Sequence, residues 1–127
     1  MKFLKRTKSL TITYPIGTNA GVQETNFSLD KDMDTVEAIG FTETSGSAAQ
    51  AYKIGLKNTN NGINFIDPID KNFLLAANSQ KIDDRFYRPG YIEAAGKQIT
   101  VQIEFAAIST VAITVNVAFE QQKKLSD

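Results

Sequence analysis

The chain has 127 residues, 42% hydrophobic and 22% charged, a balance that fits one globular domain and is too apolar for a disordered polymer. Fourteen Lys and Arg against fourteen Asp and Glu leave zero formal charge, so no overall field draws the chain toward nucleic acid or a membrane. With Cys 0 and His 0, disulfides and all Ser-His-Asp, Cys-His, zinc and haem-His chemistries are excluded.

The opening residues Met1–Lys8 carry Lys2, Lys5, Arg6 and Lys8, the basic part of a signal peptide, but no apolar h-region follows. No run approaches the roughly 18 apolar residues of a membrane span. The expectation is a chain made in the cytosol without a signal peptide and without a transmembrane segment. Leu10, Ile12 and Tyr14 alternate with Ser9, Thr11 and Thr13, which predicts a strand ended by Pro15 and Gly17. Gly21–Leu29 reads as a second strand, and Thr35–Thr44 as a third with one break in parity near Gly40. Tyr52, Ile54 and Leu56 give a fourth. Asn60-Asn61-Gly62 predicts a type I′ turn that returns Ile63–Ile66 as a fifth.

Lys71–Ala77 reads either as a helical turn or as a short strand. Ile82–Tyr87 leads into a turn at Pro89-Gly90, and Tyr91–Ala95 reads as a short strand. The strongest signal comes last. Ile99, Val101, Ile103 and Phe105, then Val111, Ile113, Val115, Val117 and Phe119, hold a period of 2 and predict an antiparallel hairpin. Residues 121–127 read as a frayed polar tail. Seven or eight short strands with no helical stripe predict an all-β antiparallel two-sheet sandwich, jelly-roll-like, as one domain over 1–127 with a basic arm at about 1–8.

Few stretches carry chemistry. Asp30, Asp32 and Asp34 begin like a calcium loop, but Thr35 stands where the loop needs Gly and Phe41 where it needs Glu, so a solvated loop is the favoured reading. Asp83 and Asp84 are adjacent, and on a strand they point to opposite faces and share no substrate. The segment Arg85-Phe86-Tyr87-Arg88-Pro89-Gly90-Tyr91 concentrates Arg and Tyr, the side chains favoured at protein interfaces, which makes Arg85, Tyr87, Arg88 and Tyr91 partner-binding candidates. Lys2, Lys5, Arg6 and Lys8 are candidates to reach nucleic acid, lipid heads or an acidic subunit. The sequon Asn26-Phe27-Ser28 has no secretion signal to give it meaning, and no cofactor motif is present.

Taken together, the basic segment Lys2–Lys8, the strand Leu10–Tyr14 and the apolar run Ile99–Phe119 resemble the small single jelly-roll proteins of viral capsids. The resemblance implies a non-enzymatic structural subunit without cofactor: a penton, minor capsid or decoration protein. Such a subunit would sit in the virion, bind copies of itself (as a pentamer, for example) and other assembly subunits through edges and loops, and face its arm inward. Three rival readings stand beside it. One is a carbohydrate- or ligand-binding sandwich using Tyr87, Tyr91 or Tyr52 as platforms. Another is a carboxylate enzyme, which the missing histidine and the dispersed acids disfavour, and the third is a phage tail or secretion-tube subunit.

Overall fold

Two antiparallel sheets face each other across a single apolar core in the computed structural model, which describes residues 2–43, 50–75, 86–87 (backbone only) and 92–125. In chain order the strands are β1 (Lys2–Tyr14), β2 (Gly21–Ser28), β3 (Thr35–Glu43), β4 (Tyr52–Asn58), β5 (Asn64–Asp70), β6 (Phe86–Tyr87), β7 (Ile92–Glu93), β8 (Gln98–Phe105) and β9 (Ile113–Leu125). One sheet has the order β1-β9-β3-β6, with β7 also on β3. The other has the order β2-β8-β4-β5.

The pairing is nested. β1 pairs β9, β2 pairs β8, β3 pairs β6 and β7, and β4 pairs β5, each antiparallel. The chain is thus one long hairpin rolled up, and the contacts β9–β3 and β8–β4 complete the two sheets. That strand order is a jelly roll.

Alternation decides which side chains meet in the middle. Ile99, Val101, Ile103 and Phe105 of β8 face Ile113, Val115, Val117 and Phe119 of β9, all buried. Tyr14, Tyr52 and Phe105 meet edge to face at one end of the core, with centroids 5.3 and 5.8 Å apart, and Phe27 stacks on Phe119 at 5.1 Å. The break of parity in β3 lies between Val36 and Ala38, earlier than the expected site near Gly40. There the bulge lets Val36 and Ile39 both face the core, opposite Gln121 and Phe119, while Ala38, opposite Glu120, is buried outside the core cluster.

Three expectations need correction. The two apolar runs do not form a hairpin, because β8 and β9 are central strands of opposite sheets. Residues 106–112 carry the chain across the core, so each run finds two partners elsewhere and presents its apolar row to the other. Secondly, the β4–β5 turn is not type I′, since Gly62 has φ +70 while Asn61 is not among the residues with positive φ. The Asn58 side chain organises that turn instead, accepting from the backbone N–H of Asn60 (2.9 Å) and Asn61 (3.3 Å). Thirdly, the basic segment and the supposed tail are neither arm nor frayed end. Lys2–Lys8 pairs in register with Phe119–Leu125, so β1 and β9 each run 13 residues. The ambiguous segment after β5 opens as a 3-10 turn at Lys71–Phe73.

Candidate functional site along the first strand

β1 is an edge strand. Among the described residues only β9 pairs with it, and no other described strand meets its second edge. On its outward face lie Lys5, Thr7, Ser9, Thr11 and Thr13, exposed, opposite Gln122, Glu120, Ala118, Asn116 and Thr114. Thr11 Oγ1 donates to Asn116 Oδ1 at 2.8 Å, and Thr13 and Thr114 hydroxyls lie 3.4 Å apart. Short β-branched and amide side chains therefore make this face flat and polar.

The opposite face of β1 joins two stretches that the sequence presents separately. Arg6 Nη1 lies 2.8 Å from Asp32 Oδ1 and 3.3 Å from Asp30 Oδ2. Lys8 Nζ lies 3.0 Å from Asp30 Oδ1, donates to the Ser28 carbonyl at 2.9 Å, and sits 5.2 Å from the centre of the Phe27 ring. Hydrogen bonds from Lys8, then Gln121 and Arg6, hold the Asp30 carboxyl below its ordinary value. Arg6 does the same for Asp32. Lys5 Nζ approaches Glu120 at 3.8 Å, and Lys2 forms no ion pair among the described residues.

The aspartates do not converge on a cation. Asp30 and Asp32 hold protein cations, and Asp34 Oδ2 accepts the backbone N–H of Lys124 at 2.9 Å. Among the described residues no three acidic side chains are grouped as metal ligands would be. Arg85, Arg88, Tyr91, Asp83 and Asp84 lie outside the described residues. Tyr87 is placed only as a strand residue, opposite Ile39.

A second constellation went unremarked in the sequence. Glu43 from the end of β3, Tyr52 from the start of β4 and Lys71 from the 3-10 turn meet at the Tyr52 end of the core. Tyr52 Oη donates to Glu43 Oε2 at 2.6 Å, and Lys71 Nζ lies 3.2 Å from that same oxygen and 4.7 Å from the Tyr52 ring centre. Burial, with the Glu43 carboxylate beside it, pushes the Tyr52 hydroxyl up. Tyr52 is only 2% exposed, which corrects its reading as a stacking platform. The neighbouring cleft, lined by Tyr52, Lys53, Asp70 and Glu104, is about 100 Å³, too small for an ordinary small-molecule pocket. The trio fastens an irregular segment to the sheets. A lysine in irregular sequence gives no advance sign of such burial.

No protein-family model, curated protein or solved structure matches this chain.

Proposed function

We propose that the chain is a non-enzymatic structural subunit of a larger assembly, a single jelly-roll capsid protein of the penton, minor capsid or decoration type. The observation that carries the reading is the long β1 edge with its flat outward row Thr7, Ser9, Thr11 and Thr13. A neighbouring subunit can lie against such a face with little side-chain ordering, and the basic side chains Arg6 and Lys8 are turned away onto Asp30 and Asp32. The lysines along the edge keep pairing from running on unchecked, so contact is expected through the face rather than by endless strand addition.

Light scattering on a sizing column, across concentration and salt, tests this. A discrete ring that Thr11→Arg dissociates, with the melting transition unchanged, is the expected result. A tube of open length would favour the tail or secretion-tube reading. A monomer of 14.0 kDa under all conditions would remove self-assembly from the proposal.

A further inference from the structure

The β1–β9 ribbon outruns its sheet. Pairing of β3 with β9 ends at Thr35 opposite Gln122, while β1 continues alongside β9 through Leu4–Lys123, Phe3–Lys124 and Lys2–Leu125. Three further residue pairs extend the ribbon by about 10 Å. Its end carries apolar and cationic side chains in direct cross-strand opposition. Phe3 is 45% exposed, Leu4 40% and Leu125 36%, although nearly all other large apolar side chains of these two strands are buried or half-buried. Lys2, Lys123 and Lys124 form no ion pairs among the described residues, and the Asp34 carboxylate is turned to the Lys124 backbone N–H.

From this we infer that the outer end of the ribbon is a docking tip for an anionic lipid surface, the lysines meeting headgroups while Phe3, Leu4 and Leu125 enter the boundary beneath them. Charge and shape both select this occupant. Exposed aliphatic side chains gain from a bilayer interface and gain nothing from a phosphate backbone. Stacking on bases needs several aromatic platforms, whereas the tip has only Phe3. The arginine of this segment, Arg6, which would grip phosphates bidentately, is committed to Asp30 and Asp32. The ribbon continues past the β3–β9 ladder, and Asp34, the residue before β3, follows it as far as Lys124, leaving Phe3, Leu4 and Leu125 exposed. The inference uses residues 2–4 and 123–125, none of which belongs to the Thr7, Ser9, Thr11 and Thr13 row that carries the assembly proposal.

The chain has Trp 0, so Phe3→Trp gives a single reporter at the tip. The experiment is flotation of the full chain with vesicles of phosphatidylcholine, alone or mixed with phosphatidylglycerol, alongside the emission of the Phe3→Trp protein. Binding to the mixed vesicles only, with a blue shift of the tryptophan, is expected. Lys123→Gln with Lys124→Gln should weaken binding by roughly fivefold per lysine, while leaving the melting temperature in place because the tip lies past the core ladder. Phe3→Ser with Leu4→Ser should weaken the part of the binding that resists salt. Absence of vesicle binding, binding without a blue shift, equal binding by the lysine variant, or tighter binding to a short single- or double-stranded oligonucleotide would each overturn the inference.

Discussion

Gln121 and Asp30 exchange two hydrogen bonds of 2.9 Å, the Asp30 backbone N–H donating to Gln121 Oε1 and Gln121 Nε2 donating to Asp30 Oδ2. Gln121 occupies the inward row of β9 directly after Ile113, Val115, Val117 and Phe119, and it is fully buried like them. The exchange lets a polar side chain close this end of the sandwich without an unmet donor or acceptor. It also fixes the Asp30 carboxylate where Lys8 and Arg6 can reach it, so one loop residue ties β1, β2 and β9 together.

Asp30→Ala should therefore destabilise the protein by about 1–3 kcal/mol, since it strips a buried amide and two cations of a shared partner. Urea unfolding at neutral pH measures this. The same residue sets an acid limb. Its folded pKa lies below the unfolded value, so the native state binds fewer protons than the unfolded chain as acid is added. The contribution is complete above about pH 4 and is lost as pH falls through the folded value. Asp30→Asn should flatten this part of the stability–pH curve, and an unchanged acid slope would show that the ion cluster contributes nothing.

Val115→Asp should abolish the fold. Val115 is 0% exposed at the middle of the inward row of a central strand, and a carboxylate there has no partner, at a cost of several kcal/mol. A soluble variant with a cooperative melt would contradict the placement of this row.

Tyr52 should resist ionisation until the protein unfolds. Its hydroxyl pKa is raised in the folded state, so the unfolded chain releases that proton first, and stability falls as pH rises above about 10. Phenolate absorption followed through an alkaline titration should show a late amplitude coincident with loss of circular dichroism, and Tyr52→Phe should diminish it. At neutral pH the same variant should lose about 1.5–3 kcal/mol, the range for a hydrogen bond to a charged acceptor.

Gly55→Ala should destabilise by about 1–3 kcal/mol through crowding on the outer face of the second sheet. A Cβ there would lie 3.0 Å from Pro68 Cγ and 3.0 Å from Gln102 Oε1. Gln102 can swing away, but the proline ring of β5 is stiff. Adding Pro68→Ala should return most of the loss, and a double variant no better than the single one would place the strain elsewhere.

Residues that alternate announced their strands, because period 2 is a local property. Leu10–Tyr14, Tyr52–Leu56 and Ile99–Phe105 lie inside observed strands, and the run Val111–Phe119 does so from Ile113 onward. Pairing is not local, so the sequence reading joined Phe105 to Val111 as a hairpin where the fold sends the two runs to opposite sheets. The same blindness hid the outer end of the ribbon. Lys2–Lys8 and Gln121–Leu125 look like solvated ends in isolation, and each becomes a strand only because the other is beside it. Asp30, Asp32 and Asp34 were legible as acidic, but the pairing of Asp30 and Asp32 with Arg6 and Lys8 depends on the distant register in which Arg6 lies opposite Gln121 and Lys8 opposite Phe119.

The nesting of the strands also governs when this molecule can come into being. β9 lies between β1 and β3, so the first sheet has no ladder joining those two strands until β9 is inserted. During synthesis β1 emerges before every strand it will share a core with, and the segments between cannot complete that sheet on their behalf. Folding must wait on closure of the longest loop in the chain, an entropic cost met before its rewards, which makes for slow, all-or-none acquisition of structure. Throughout that interval Leu10, Ile12 and Tyr14 are open to other chains, and the charged residues that precede them, Lys5, Arg6 and Lys8, keep such chains apart until β9 arrives.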